Sequence, residues 1–489
     1  MIGISAPQNA SRGAIPWTSP LAATLVIALL VAAKLAVGAM TDLLGDEAYY
    51  TLWSFYPLQA GYYDHPPGVV WFIRAGQALL GETALASRLA AILATLVCAL
   101  AVWRTAVALF ADRTIAALGA LWFSLSLGAA VGLLVITPDA PSTLFWTLAV
   151  WAAAELHRSR NAWWWLAFGL FAGLGLQAKY TGFFLGAGIL LWLVGWRETR
   201  VWFRSWQLYA GGVLALALFW PVVAWNIDND FASLGFQLGR STEEVPSLAR
   251  AAQFLPEYVA TLAGMLWPGL FLFVAAGFVL FLRRREWRAD PAVGLLVATA
   301  APALVYFAFH SLHSRVQGNW TLPLFAQLAL LGAWAAVSWL PAGAGFRAFW
   351  LWMRRWETPL SLILIAVIYT FDSLNNDSEL VVINASGASQ KTLLKPVLVM
   401  GLIGTLFMSM MTLYFTPLSL RMWRTLITEV RAGIVTTILS EGQFMKISEG
   451  LPFHLRRRGA DGTLEGIFVS DDSAADTTVT YLAETGIIL

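Results

Sequence analysis

Nothing in this 489-residue chain constrains its fold as much as its blocks of apolar residues, each about twenty long. A block of that length crosses the roughly 30 Å hydrocarbon core of a bilayer as one helix. In lipid, only helices and closed barrels satisfy their own backbone. Blocks near 18–40, 84–110, 114–135, 139–155, 162–177, 180–196, 207–225, 258–282, 292–310 and 320–340 predict about ten spans. Two more apolar runs, near 358–371 and 394–418, precede a polar end that begins near 440. The expected fold class is an all-α polytopic membrane protein with a short C-terminal β segment. Charged residues are 12% of the chain, about half the roughly 25% of soluble domains. A net charge of +2 gives no reason to expect nucleic acid. Cys98 is the only cysteine, which excludes an intrachain disulfide. The first block is long enough to span, so it reads as an anchor rather than a cleaved signal peptide.

Lysine and arginine in short loops set orientation. With the N-terminus inside, inner loops hold Arg113, Arg158, Arg160, Arg197, Arg200, Arg204, the cluster Arg283–Arg285 with Arg288, and Arg347, Arg354 and Arg355. Outer loops then hold Asp42, Asp46, Glu47, Asp64, Asp139, Asp228, Asp230, Glu243, Glu244 and Glu257. Lys179, His313, Arg315, Asn319 and Trp320 fall on the same outer face. Ionisable groups at membrane depth are costly and point to function. The long polar segment 226–257 is a candidate lid.

Asp46 and Glu47 follow the first span directly and lie among Tyr49, Tyr50 and Trp53. They read either as a solvated acidic loop or as a partly desolvated pair whose carboxylate is a better base. In "GYYDHPP", Pro66 and Pro67 make either a simple turn or a rigid mount for Asp64 and His65. Asp139 in "TPDAP" suits a helix cap or a substrate-orienting carboxylate. Lys179 and Arg315 are snorkelling cations or phosphate ligands. Carboxylates and cations at headgroup depth suit transfer of a group from a lipid-linked phosphate, where one base suffices because phosphate leaves readily. A hydrolytic glycosidase needs two opposed carboxyl groups.

The series "GDEAYY…GYYDHPP…TPDAP…AKYTG…RVQGNW" resembles the membrane-embedded GT-C glycosyltransferases over roughly 15–345. It is similar to the dolichyl-phosphate-mannose protein mannosyltransferases of family 39, the aminoarabinose transferase of lipid A and the Rgt-type transferases. The resemblance implies a polyprenyl-phosphate sugar donor and a lipid, glycan or protein acceptor. It also implies inverting transfer on the periplasmic face of a bacterial inner membrane. Carried over, Asp46 is the general base with Glu47 beside it, and Lys179 and Arg315 hold the donor phosphate. Tyr63, Asp64, His65, Asp139, Tyr180, His313, Asn319 and Trp320 contact substrate. Asp64 and His65 are the candidate ligands of a divalent metal; two ligands make no closed site, so no cofactor is assigned.

From about 356 to 489 the sequence resembles another family, the LptF/LptG permeases of lipopolysaccharide export. "DSEL", from Asp377, and "NASGAS" are similar to their cytoplasmic coupling segment, and "GIFVSDD" and "TVTYLAE" alternate as strands of a truncated jellyroll. The expected domains are a transferase over 1–345, a junction at 346–357, a permease-like membrane fragment over 358–430 and a jellyroll start over 431–489. A working tail implies an export ATPase and a second permease as partners, and a permease subunit is the alternative function. The two halves conflict in topology: the transferase ends inside, whereas the permease pattern needs 358–371 to run inward. A fusion with a disabled tail resolves that conflict.

Overall fold

The computed structural model describes residues 16–239, 248–377, 444–446, 452–458, 464–474 and 477–486. The chain forms two units, Met1–Ser373 and Leu374–Leu489.

The first unit is helical. Helix α1 (Pro20–Met40) starts at Ser19, whose hydroxyl accepts the amide of Ala22, with Pro20 at the first helical position. Two short helices follow where the sequence predicts only an acidic outer loop: α2 (Gly45–Ser54) and α3 (Gly68–Leu80). Thr83 then caps α4 (Ala84–Phe110). The block predicted as one span over 114–135 is broken into α5 (Arg113–Leu125) and α6 (Leu127–Gly132). Ser126 makes the break: its hydroxyl donates to Phe123 O at 2.7 Å and accepts Ala129 N at 3.3 Å. Next come α7 (Asp139–Ser159), α8 (Trp164–Leu176), α9 (Phe183–Gly195), α10 (Trp206–Asp228) and the short α11 (Ala232–Gly239).

The predicted 258–282 span is likewise two helices, α12 (Leu248–Leu266) and α13 (Pro268–Arg283), bent through 113° at Trp267. Pro268 cannot donate to the preceding turn, so the helix restarts there. Helices α14 (Arg285–Ala289), α15 (Pro291–His310), α16 (Phe325–Ser338) and the 34-residue α17 (Ala344–Asp377) complete the unit, with a 3-10 segment, Gly318–Leu324, leading into α16.

Among the described residues, five helices are long and apolar enough to cross a membrane, or six if the bent pair is one span. About ten were expected from the sequence. The difference has two sources. Helices α5, α8 and α9 have 13 residues each, about 20 Å at 1.5 Å per residue. Helix α7 has the length but not the apolarity. The apolarity of α5 and α16 serves the bundle interior, since both are buried almost throughout. Residues 346–357 and the whole 358–371 run lie within one continuous helix, α17. The run 394–418, most of "DSEL", and Glu243 and Glu244 lie outside the described residues.

The second unit contains a four-stranded antiparallel sheet in the order β1-β2-β3-β4: β1 (Phe444–Lys446), β2 (Pro452–Arg458), β3 (Leu464–Ala474) and β4 (Thr477–Gly486). The alternating segments "GIFVSDD" and "TVTYLAE" fall in β3 and β4, paired through Phe468↔Leu482.

Close helix crossings depend on glycine. A Cβ on Gly169 of α8 would collide with the carbonyl of Gly211 in α10. Gly211→Val is expected to destabilise the protein by about 1–3 kcal/mol through overpacking, measured as an earlier unfolding transition in detergent. An unchanged transition would mean that the helices do not touch there.

Candidate active site

The loops that carry the sequence motifs converge at one end of the bundle. Two prolines, both buried, bring the chain into α3, and Gly68 N donates to Gln177 O at 2.7 Å. A Cβ at Gly68 would strike the backbone of Ala178, so only glycine lets "GYYDHPPG" lie against "QAKYTG". Tyr62 N donates to His65 O at 3.0 Å, closing the turn, and Tyr62 stacks on Trp53 of α2 at 4.2 Å.

Asp139 is the second fixed point. It opens α7 but does not cap it; its side chain turns away from the helix backbone. Lys179 Nζ donates to Oδ1 at 2.7 Å and Asn319 Nδ2 to Oδ2 at 2.7 Å. Three motifs far apart in sequence thus meet on one buried carboxylate. Lys179 is also buried, and Asp139 is its only side-chain partner among the described residues. An ammonium has three donors, so two remain for a ligand.

Asp46 and Glu47 part company. Asp46 sits exposed in the first turn of α2, so the desolvation expected of it falls on its neighbour. Glu47 is 0% exposed and pairs with Arg88, 3% exposed, at 2.5 Å. Its carboxylate also accepts Leu44 N at 2.9 Å and Ile136 N at 2.9 Å. Arg88 further donates to Thr41 O at 2.8 Å and Asp42 O at 2.7 Å. Fully committed to these donors, Glu47 anchors α2 to α4 and to the connector before Asp139.

Tyr50 is buried between the carboxylates. Its hydroxyl is held well above the usual phenol range, first by burial and then by the charges of Asp64, Asp139 and Asp46. Tyr49 donates to Asp64 Oδ1 at 3.3 Å and is pushed up to about 12, mainly by burial and then by Asp64. His65 packs against Tyr50 with ring centres 6.1 Å apart. Among the described residues, no three His, Cys, Asp or Glu side chains converge as metal ligands.

The other predicted residues surround this centre. Tyr180 donates to Ser233 Oγ at 2.8 Å and accepts from Asn226 at 3.2 Å. Gln237 of α11 donates to Asp64 O at 2.6 Å, and Phe236 packs on Tyr63. The 226–239 stretch of the candidate lid therefore docks on the Asp64 turn. Arg315 is exposed and pairs with Glu257 at 2.5 Å. His313 is 3% exposed with neither ring nitrogen bonded, and its ring lies 4.8 Å from that of His310, which packs on Trp320.

Several partners were not foreseen from the sequence: Arg88, Tyr49, Asn226, Ser233 and Gln237. Lys34 is another. It is buried within α1 and donates to Thr95 Oγ1 and Ala129 O, both at 3.0 Å. The available signal was a cation inside an apolar block, Lys34 in the first and Arg88 near the start of the second.

The bundle is similar to two crystal structures of ArnT from Cupriavidus metallidurans. One, bound to undecaprenyl phosphate, matches with a TM-score of 0.54 and 17% identity, over 68% of this chain and 63% of that one. The other, in the apo state, matches with a TM-score of 0.50 and 20% identity, over 67% and 62%. The helical unit has the GT-C fold. Within it, residues 64–225 match the model of the dolichyl-phosphate-mannose-protein mannosyltransferase family. Residues 358–489 match the model of the lipopolysaccharide export system permease LptF/LptG. The lipid A galacturonosyltransferase RgtD of Rhizobium johnstonii (strain DSM 114642 / LMG 32736 / 3841) is 26% identical over 298 residues, 60% of each chain. The chain thus spans about three fifths of that curated relative.

Arg88→Met leaves the Glu47 charge buried without its cation, which costs about 3–5 kcal/mol. Arg88→Lys should recover little of this, because a point ammonium cannot serve the carboxylate and the Thr41 and Asp42 carbonyls together. Unfolding transitions of the purified variants check this; a wild-type transition for Arg88→Met would show that Glu47 is solvated.

Proposed function

We propose that the GT-C unit is a glycosyltransferase that moves a sugar from a polyprenyl-phosphate donor to a lipid acceptor, with lipid A as the leading candidate, on the periplasmic face. The observation that carries this reading is the Asp139–Lys179–Asn319 cluster, a buried ammonium with donors to spare whose carboxylate partner acts, together with Asp64 and Asp46, on the buried Tyr50 of α2. The ArnT structure solved with undecaprenyl phosphate and the lipid A substrate in the RgtD name support donor and acceptor class. The outer-face charge pattern supports the periplasmic side.

In this reading Asp46 Oδ takes the proton of the acceptor hydroxyl as its oxygen attacks the anomeric carbon. The bond from that carbon to the phosphate oxygen breaks, and the leaving polyprenyl phosphate gains one negative charge. Lys179 meets that charge with its remaining donors, and Arg315 adds a second cation when it swings from Glu257. Asp139 holds Lys179 and Asn319 in place. Tyr63, Asp64, His65, Tyr180, His313 and Trp320 frame the acceptor and sugar. Glu47 acts through position, by holding α2, and not as a base.

Purified protein in lipid, given a panel of polyprenyl-phosphate sugars and crude lipid A, tests the reading. Asp46→Asn should lose roughly 10²–10⁴ in kcat with its unfolding transition unchanged. Equal turnover of Asp46→Asn and wild type would remove Asp46 from the chemistry.

A further inference from the structure

The sharp bend between α12 and α13 is an unusual piece of backbone. Trp267 has φ 69, a left-handed conformation that bulky side chains rarely adopt, and it provides no side-chain cap for α13. The first amides of a helix need acceptors from elsewhere. Here the acceptor comes from α17: Glu357 Oε1 takes Leu270 N at 3.0 Å, across 87 residues of sequence. Glu357 is 4% exposed. It reaches this position because residue 269 is glycine; a Cβ there would collide with Glu357 Oε2. From the other side, Trp267 Nε1 donates to Leu125 O at 2.6 Å.

The bend sets the direction of α12, and α12 touches the site. Glu257 pairs with Arg315, Arg250 donates to His313 O at 3.4 Å, and Thr261 and Met265 pack against Gly318, the neighbour of Asn319. We propose that Glu357 is a positioning residue of the candidate site: by capping α13 it fixes the bend at Trp267 and so the seating of α12 against the Gly318–Asn319 segment. The permease match begins at residue 358, yet Thr358 Oγ1 takes Trp122 Nε1 of α5 at 3.2 Å. The helix that leads into the tail is therefore part of the GT-C unit on both sides of that boundary.

A disulfide trap reads the seating directly in the full-length protein and needs no activity. A Cβ on Gly318 would stand 3.0 Å from Thr261 Cγ2, within the reach of a disulfide pair. Thr261→Cys with Gly318→Cys, in a Cys98→Ala background, should cross-link readily under mild oxidation. Adding Glu357→Ala should slow cross-linking by about tenfold or more, the change expected for an uncapped buried amide. Adding Gly269→Ala, which displaces the carboxylate without changing it, should do the same. Glu357→Gln retains an acceptor oxygen and should cross-link like the parent. Thr358→Val removes a contact of the same helix and also should leave the rate unchanged. Parental rates in both Glu357→Ala and Gly269→Ala would overturn the proposal, as would equal slowing by Glu357→Gln and Glu357→Ala.

An activity arm rests on the glycosyltransferase reading: in a background with all native residues at 261 and 318, Glu357→Ala should lower kcat and Glu357→Gln should not. Absence of turnover in the wild type would count against that reading alone, because the cross-linking rates decide the role of Glu357 independently.

Discussion

A carboxylate taken out of water must be surrounded by donors, and the arrangement of the site follows from how Glu47 meets that requirement. Arg88 supplies two N–H groups, Leu44 and Ile136 one backbone amide each. Those four donors come from α4, the start of α2 and the connector between α6 and α7. Satisfying one charge therefore fixes three chain segments. Asp46, one residue earlier, is left at the surface by the same helix geometry. Asp139, three residues after Ile136, is delivered to Lys179 and Asn319. Lys34 holds α6, the helix just before that connector, by donating to Ala129 O.

The same logic explains why the bundle is so broken. Helix ends expose amides and carbonyls that lipid cannot serve, so each interruption carries its own partners. Ser126 closes one helix and opens the next, Glu357 caps α13, and Trp267 secures the bend. Interruptions of this kind bring the Asp139, Lys179 and Asn319 segments together on one carboxylate. They also bind the start of the permease-like stretch into the GT-C unit, through Glu357, Thr358 and the buried Ser361. Residues on both sides of position 358, where the permease match begins, lie in one continuous helix, α17.

Much of the site was legible before the fold was known. A charged or amide residue in a chain this apolar is conspicuous, and Asp139, Lys179 and Asn319 were each singled out on that ground. Their union on one carboxylate was not legible, because the pairings span 40 and 180 residues and no local pattern records them. Asp46 and Glu47 looked equivalent in sequence; only the packing of Arg88 separates them. Arg88 and Lys34 were passed over because a cation or two inside an apolar block did not disturb the span pattern that drew attention to those blocks.

The sequence by itself determined that the chain is helical and membrane-embedded, where its charges cluster, and that its end changes to strands. Hydrophobic period and length decide these, and both are local. The tertiary structure alone decided which blocks break, which of two adjacent carboxylates is buried, and which distant residues donate to one shared carboxylate. These depend on each buried polar group finding a partner in three dimensions, and that requirement is met by contacts that sequence order does not encode.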